Sequence, residues 1–305
     1  MMTKMKIVFS LFLLITCFIA HAQKVSNIRA EQSGQDIVVL YSLETTSPCD
    51  VSLLLSQDNG ATWSLPLENV SGDVGKNITA GEKQITWRVL EEREQLIGDN
   101  IKFKAVTTPL LKLGNKTWMT KNLTVSRFSN GDEIKRADNF RDWIASSESK
   151  TPAWCFVNFD SRTEEKYGKL YNGFAVIDPR GLAPIGYRIA SVQDYKDAAL
   201  YYGFLKEGNE MRNGFKNGAS KFKPMFPYSG GILCGPSYDE IKKKWDGPLV
   251  SMFFGVESIV RIWTQSFESF ESGDRVYWFG LNDDSDKIFF SHDRMGYGFS
   301  VRCLR

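Results

Sequence analysis

The sequence predicts two globular domains behind a short leader: an all-β sandwich first, then a domain that combines strands with helix. Three observations indicate this. Short runs of β-branched and aromatic residues alternate with polar turns up to about residue 106. Residues 191–203 have the capping residues and the apolar spacing of a helix. Two strand-like runs between residues 275 and 292 flank a polar turn, and the length of 305 residues suits two domains.

Residues 1–22 have the layout of a secretory signal peptide. Lys4 and Lys6 form a basic start, residues 7–19 are mostly apolar, and residues 20–22 place small side chains before a cleavage point at Gln23. The apolar run is too short to cross a bilayer, and no later segment approaches about 20 apolar residues. We therefore expect an exported protein with no membrane span after cleavage, located in the periplasm, at the cell surface or outside the cell.

A lipoprotein anchored through Cys17 is the disfavoured alternative. Its lipobox would place Thr16 where Gly, Ala or Ser is expected.

The composition of the mature chain excludes several classes of function. Loss of Lys4 and Lys6 leaves equal numbers of basic and acidic residues, which disfavours a nucleic-acid partner. One histidine remains, His292, and the cysteines at positions 49, 155, 234 and 303 form no CxxC pair, which argues against a structural zinc site.

Residues 23–108 are expected to form the sandwich. The runs 37–41, 51–55, 84–89 and 101–106 read as strands, and the alternation around Trp87 indicates one buried face. Several short strands in about 85 residues suggest the immunoglobulin or fibronectin type III kind of sandwich, although the Cys-Trp-Cys signature of antibody domains is absent. Residues 107–109 end in proline and are expected to form a short linker.

Residues 56–63 match the Asp-box pattern S-x-D-x-G-x-T-W at every specified position. Asp58 is expected to bond the turn backbone, Gly60 to permit a positive φ, and Trp63 to pack back over a hairpin. The motif resembles those of sialidases and related propellers. It occurs once, however, whereas a propeller repeats its blades, so we interpret these residues as structural and Asp58 as non-catalytic.

The second domain contains identifiable helix and strand segments. Ser191 followed by Asp194 forms a capping pattern for a helix over about residues 192–202. Residues 138–147 are a second helix candidate. The runs 275–281 and 287–292 predict a hairpin, and residues 299–303 are expected to close the sheet.

Four separated segments of this domain share a pattern with a known family: 114–123 (GNKTWMTKNL), 167–172 (YGKLYN), 182–189 (LAPIGYRI) and 297–304 (YGFSVRCL). In this order they resemble the Fibrobacter succinogenes major paralogous domain family, over roughly residues 110–305. The resemblance implies an α+β fold similar to the C-type lectin-like and formylglycine-generating-enzyme-like domains of exported bacterial proteins. It implies no established activity.

The chain departs from the family at two positions. Ala183 replaces a cysteine that the resemblance would pair with Cys303, and Tyr187 replaces a tryptophan. Cys303 is therefore expected to be buried and free, with a bridge to Cys155 or Cys234 as the alternative.

Catalytic or metal chemistry has little support in the sequence. A catalytic triad would depend wholly on His292, and a formylglycine-generating enzyme would need closely spaced cysteines. Carboxylate-dependent catalysis has no motif. Asn282, Asp283, Asp284 and Asp286 offer the oxygen ligands of calcium but also the composition of an ordinary turn, so no cofactor is expected.

Recognition is therefore the preferred function. The loop-rich stretch 209–263 contains Tyr228, Tyr238 and Trp245, which we take as ligand-binding candidates although each is also a candidate core residue. We expect an exported, non-catalytic protein that binds a glycan or a cell-envelope partner. The alternatives are a structural component of an envelope or fimbrial assembly, and an enzyme of formylglycine-generating or carboxylate-dependent type. The sequence leaves the ligand and the oligomeric state open.

Overall fold

The computed structural model describes residues 23–113, 115–207, 210–213, 223–237, 247–271, 273–285 and 287–305. The predicted signal peptide, residues 1–22, lies outside them. The described strands form four sheets. Two are built from residues 24–108, which we call the N-terminal unit, and two from residues 110–304, which we call the C-terminal unit.

The N-terminal unit consists of short strands, as the sequence predicts. The strands are β1 Lys24–Ser33, β2 Asp36–Glu44, β3 Cys49–Ser56, β4 Val70–Gly72, β5 Gly75–Ile78, β6 Gly81–Trp87 and β7 Lys102–Thr108. One sheet has the order β1-β2-β6-β4 and the other β5-β3-β7, with antiparallel neighbours. The four predicted runs coincide with β2, β3, β6 and β7.

The core of this unit lies between its two sheets. Tyr41 and Trp87 come from one sheet and Leu53 from the other, and none of the three is exposed. Alternate residues of each strand point inward, so the period of two in the sequence becomes one buried face. Burial of each large apolar side chain contributes about 1.5–3 kcal/mol.

The linker is shorter than expected. Thr107 and Thr108 still pair with Val51 and Asp50, so only Pro109 separates β7 from the next strand, β8 Leu110–Leu113. Threonine is β-branched and extends a strand readily. Proline has no N–H for the ladder, so the break falls at Pro109.

The C-terminal unit combines strands with short helices. Its further strands are β9 Lys116–Met119, β10 Lys135–Arg136, β11 Ala153–Phe156, β12 Lys169–Asn172, β13 Arg188–Ile189, β14 Phe204–Glu207, β15 Glu210–Asn213, β16 Gly231–Pro236, β17 Leu249–Phe254, β18 Ile259–Phe270, β19 Gly273–Asn282, β20 Lys287–Arg294, β21 Gly298–Val301 and β22 Cys303–Leu304. The α-helices are α1 Phe140–Glu148, α2 Glu164–Tyr167, α3 Gly173–Val176 and α4 Val192–Tyr201. No helix in the described residues has the length and apolar character needed to cross a membrane.

The larger sheet of this unit runs β10-β11-β12-β21-β18-β19-β20-β15-β14, and the β16–β17 hairpin joins it through β21. The smaller sheet runs β13-β22-β9-β8. Successive residues of β19 serve two different core clusters: Phe279 packs with Tyr195 of α4, whereas Trp278 lies against the cluster that contains Phe299. Core clusters therefore lie on both faces of β19.

The predicted helix and hairpin of this unit are confirmed. Ser191 Oγ accepts the backbone N–H of Asp194, and Asp194 in turn accepts the backbone N–H of Ser191, which completes the capping box at the start of α4. The second helix candidate corresponds to α1, with Asn139 as its N-cap. β19 and β20 form the predicted antiparallel hairpin. β21 then inserts between β12 and β18.

The four sequence segments that carry the family resemblance meet around the last two strands. β22 pairs with β13 and β9, and β21 pairs with β12. The backbone of Leu123 continues this assembly, because its N–H donates to Val301 and its oxygen accepts from Lys169. Segments separated by more than 100 residues therefore form one structural centre.

Candidate functional site

The three ligand-binding residues predicted from the sequence have different outcomes. Tyr238 and Trp245 lie outside the described residues. Tyr228 is half-buried and packs against the core cluster of α4, where its backbone oxygen accepts the N–H of Glu257. Burial raises the pKa of the Tyr228 hydroxyl, and the nearby Asp283 raises it further. In this position Tyr228 is chiefly a packing residue.

The calcium candidate is described in part, since Asp286 lies outside the described residues. The side-chain oxygen of Asn282 accepts a hydrogen bond from Arg261 at 3.3 Å, and the backbone oxygen of Asp283 accepts one from Lys223 at 3.2 Å. Asp283 and Asp284 are exposed. Across the described residues no group of three or more His, Cys, Asp or Glu side chains is arranged to hold a metal ion.

His292 lies in β20, half-buried between two aromatic rings. Its ring centroid is 4.9 Å from that of Phe270 and 5.3 Å from that of Tyr277. Its Nδ1 atom is buried and has no hydrogen-bond partner within the described part of the chain. The described contacts of the His292 ring are therefore with aromatic side chains.

The Asp-box turn has the local bonding expected of it. The Asp58 carboxylate accepts hydrogen bonds from Ser56 Oγ at 2.7 Å, from Thr62 N at 2.8 Å and from Thr62 Oγ1 at 2.6 Å. These bonds, those from Thr62 above all, lower the pKa of Asp58 to about 2. Gly60 has φ +95°, and a Cβ at that position would lie 3.5 Å from the Trp63 ring. The turn reverses the chain and Trp63 packs back on it.

The four cysteines of the described residues, at positions 49, 155, 234 and 303, are each buried and free. Burial raises the pKa of each thiol, that of Cys303 to about 12. Reactive cysteines need the opposite, a partly exposed thiol with a lowered pKa.

Arg302, in the last of the four resembling segments, is a buried structural residue. Only 1% of it is exposed. Its guanidinium donates to Oδ1 of Asn122 at 2.8 and 3.1 Å and to the backbone oxygens of Met119, Thr120 and Met225 at 2.8–3.2 Å. No carboxylate pairs with it within the described residues, and burial lowers its pKa to about 10. The arginine thus ties the end of β9 and the residues that follow it to Met225.

The strongest candidate for a recognition surface is a group of half-buried aromatic rings on the C-terminal unit. Phe254, Trp278 and Tyr297 stand edge-on around the buried ring of Phe299, with centroids 6.2–6.3 Å away and interplanar angles of 74–86°. We call these four residues the aromatic cluster. Edge-to-face contacts of this kind fix ring positions. The three outer rings are therefore held in place by the core while part of each remains accessible.

Two charged side chains join this cluster because of the strand register. Arg261 lies opposite Gly280, two residues from Trp278, so Arg261 and Trp278 share a face of the sheet. The guanidinium group of Arg261 lies over the Trp278 ring, with its carbon atom 4.5 Å from the ring centre. The indole N–H of Trp278 donates to Oδ2 of Asp293 at 2.8 Å.

Burial shapes the electrostatics of both charges. It raises the pKa of Asp293, although the bond from Trp278 and the neighbouring cations oppose this. Burial also lowers the pKa of Arg261 to about 10. Gly280 makes the stack possible, because a Cβ there would come within 2.7 Å of Arg261 Nη1 and of the Trp278 ring. The result is a planar cation, an acid and three aromatic rings in one half-exposed patch.

The surface beside the aromatic cluster is apolar. Val250 and Met252 alternate with Phe254 along one face of β17 and are 52% and 58% exposed. Phe267, on the projecting end of the β18–β19 hairpin, is 55% exposed. Val250, Met252 and Phe254 therefore form an apolar strip of the type found at interaction sites.

Comparison with known families matches residues 111–305 to the Fibrobacter succinogenes major domain, more than half of the chain. The chain belongs to this family. No curated protein and no solved structure matches it. The family resemblance expected from the four sequence segments is thus confirmed.

Within this Fibrobacter succinogenes major domain, the recognisable segments and the candidate site overlap in one place. Asn122 and Arg302 serve the structural centre, whereas Tyr297 and Phe299 build the aromatic cluster. Tyr187, in the third of these segments, donates its hydroxyl to Asp50 of the N-terminal unit at 2.5 Å. This bond provides a contact between the two units.

Sequence reasoning missed Trp278, Arg261 and Asp293. Each lies in a predicted or observed strand, where an aromatic or charged residue is ordinarily assigned to a core or to a solvated face. The alternation over residues 273–294 was the available signal, but only the pairing register joins these side chains.

Proposed function

We propose that this protein is an exported, non-catalytic recognition protein that binds a glycan through the aromatic cluster. The observation that carries the proposal is the combination of three half-exposed, fixed rings with Arg261 and Asp293 on one surface. Sugar rings present apolar C–H faces and a rim of hydroxyl groups. Aromatic planes suit the faces, and planar polar groups suit the rim.

The proposal includes the finer fold assignment. We assign the N-terminal unit to the immunoglobulin or fibronectin type III kind of sandwich and residues 110–305 to a C-type lectin-like or formylglycine-generating-enzyme-like fold. The first assignment is supported by the two packed antiparallel sheets, and the second by the family and by the mixture of strands with short helices. The proposed location is the periplasm, the cell surface or the medium, on the strength of the signal-like residues 1–22.

Binding is preferred to catalysis for two reasons. The thiols of Cys155 and Cys303 are buried and have raised pKa values, which is unfavourable for chemistry of the formylglycine-generating type. The hydrogen bond from Trp278 is the one that Asp293 receives within the described residues, so this acid is held mainly by an aromatic residue and not by a catalytic partner.

A structural role in an envelope or fimbrial assembly is the second candidate. It is favoured by three apolar side chains that are more than half exposed: Val250 and Met252, which share a face of β17 with Phe254, and Phe267 of β18. An assembly partner would cover this apolar surface, whereas a free glycan would contact mainly the rings and their polar neighbours.

The test is a glycan-array screen followed by calorimetry on the best ligand. Trp278→Ala is expected to weaken binding at least about tenfold, because central aromatic contacts typically contribute about 2 kcal/mol or more. Tyr201→Ala is the matched control, since Tyr201 is a 63% exposed aromatic residue on α4 and not part of the cluster. It is expected to bind like the wild type.

A blank array together with a blank pull-down from envelope extract would overturn recognition as the function. Partner capture that is lost in Met252→Asp but retained in Trp278→Ala would instead favour the assembly role. Turnover of a glycan that Asp293→Asn abolishes would show an enzyme.

A further inference from the structure

A cavity of about 360 Å³ lies where the two units meet. Its lining residues fall within 55–131, whereas those of the aromatic cluster fall within 254–299. One wall is the Asp-box turn with Arg93, and the other is formed by Arg127 and Gly131 of the C-terminal unit. We call it the junction cavity. Its volume falls in the range of about 300–1,000 Å³ typical of small-molecule sites, which are common at interfaces between domains.

The walls of the junction cavity are fixed by local bonding. Asp58 organises the first wall through its bonds to Ser56 and Thr62. In the second wall, Arg127 donates to the backbone oxygen of Gly131 at 3.0 Å and pairs with Glu133. A preformed site of this kind requires little ordering when a ligand binds.

The two units are also tied to each other. Tyr187 and Arg305 of the C-terminal unit both donate to Oδ2 of Asp50, each at 2.5 Å. Asp50 is only 7% exposed, so these bonds are shielded from water. The distance between the cavity walls is therefore constrained by contacts outside the cavity.

The charges at the cavity leave one cation uncompensated. Arg93 donates to Gln57 Oε1 at 3.2 Å and forms no ion pair with any carboxylate of the described residues. Asp58 is the one carboxylate among the described lining residues, and its oxygens already accept three hydrogen bonds from the turn. A guanidinium with spare N–H donors is a suitable partner for a ligand carboxylate.

An aromatic side chain, Trp63, lines the same cavity. The half-buried Trp63 ring is held on one side by Gly60 and approached by Lys104, whose Nζ is 5.5 Å from the ring centre. Gln57 and Thr62 add an amide and a hydroxyl to the lining. The cavity thus combines a stacking plane, hydrogen-bonding groups and an unpaired cation.

We infer that the junction cavity binds an acidic sugar: a pyranose ring that stacks on Trp63 and carries a carboxylate that pairs with Arg93. This is a second site, separate from the one in the proposed function. It gives the single Asp-box turn a role as a cavity wall in addition to its role in folding.

The test uses the mature chain, residues 23–305, with D-glucuronate, D-glucose and acetate as probes in ligand-observed NMR titrations. Glucuronate is expected to bind. Glucose should bind at least about tenfold more weakly because it lacks the carboxylate, and a charged hydrogen-bonding pair contributes roughly ten- to a hundredfold. Acetate keeps the carboxylate but lacks the ring that stacks on Trp63, so it should also bind at least about tenfold more weakly. Arg93→Gln is expected to weaken glucuronate binding about tenfold or more. Binding should also weaken as salt concentration rises.

Two further variants separate ligand contact from stability. Arg88→Gln removes an exposed arginine that pairs with Glu91 at 3.3 Å, five residues before Arg93, and is expected to bind glucuronate like the wild type. Trp278→Ala should also retain this binding, because the aromatic cluster is a different site. Trp63→Leu should lose it, with thermal unfolding measured in parallel to show that the variant is folded.

No saturable glucuronate binding, equal binding of glucuronate and acetate, or unchanged binding in Arg93→Gln would each overturn the inference. If Trp278→Ala lost glucuronate binding and Arg93→Gln retained it, the acidic sugar would bind at the aromatic cluster, and the junction site would be refuted. A blank glycan array would count against binding at the aromatic cluster around Trp278. The glucuronate titrations test the junction cavity, so the two failures can be told apart.

Discussion

Replacement of Arg302 by alanine is expected to destabilise the C-terminal unit severely. The fully buried guanidinium supplies hydrogen bonds to four acceptors: Oδ1 of Asn122 and the backbone oxygens of Met119, Thr120 and Met225. Each buried acceptor that loses its donor costs about 1–3 kcal/mol. The void left by the missing side chain adds to this loss. Against it, the variant no longer has to desolvate a buried cation, which costs the wild type several kcal/mol. We expect a net loss of about 4 kcal/mol, a large part of the roughly 5–15 kcal/mol that stabilises a domain.

The assay is urea unfolding followed by tryptophan fluorescence. Arg302→Lys should lose about half as much as alanine, because an ammonium keeps the charge but cannot serve several acceptors with a planar fork. Arg162→Ala is the control: this arginine is 88% exposed in its side chain and bonds Asp160, so its replacement should leave the free energy of unfolding almost unchanged. A loss below about 1 kcal/mol in Arg302→Ala, or a value equal to that of the control, would refute the reasoning. If the alanine variant does not fold, the lysine variant provides the measurement.

Three further predictions concern titration. Burial opposes ionisation of Asp194, but hydrogen bonds from Arg188 and Lys116 outweigh it and hold its pKa well below the usual value. This stabilisation is present above about pH 4 and is lost as pH falls, so Asp194→Asn should flatten the acid limb of a melting-temperature profile. Burial raises the pKa of Asp293, so its ionisation costs stability as pH rises, and the Asp293→Asn variant should gain stability relative to the wild type as pH rises above about 4 in the same assay. With its pKa raised to about 12, Cys303 should react with iodoacetamide at pH 8 only after unfolding, as peptide mass spectrometry would detect; labelling of the native protein would contradict its burial.

Local elements were predictable because their signals are local. Three features each depend on residues that are close together in the sequence: the capping box at Ser191 and Asp194, the apolar spacing of α4, and the polar turn between β19 and β20. The same holds for the Asp-box, whose hydrogen bonds span at most four residues. Such features form in the same way whatever the surrounding fold.

The site was less predictable, because its members come from distant strands. Phe254, Trp278 and Tyr297 converge on Phe299 only after β17, β19 and β21 take their places in the sheet. The predicted loop aromatic Tyr228 instead packs against the core. A shift of one residue in register would have turned Trp278 to the opposite face of the sheet.

By itself the sequence determined the strand-rich N-terminal unit, the capped helix, the closing hairpin and membership in the family, since each rests on short-range patterns or on motif order. The tertiary structure alone decided that Arg302 is a buried structural cation, that Arg261 stacks on Trp278, and that Arg93 and Arg127 face one cavity. The physical reason is the same in each case. These contacts join residues far apart in the chain, and their energy becomes available only when packing has fixed the positions of both partners.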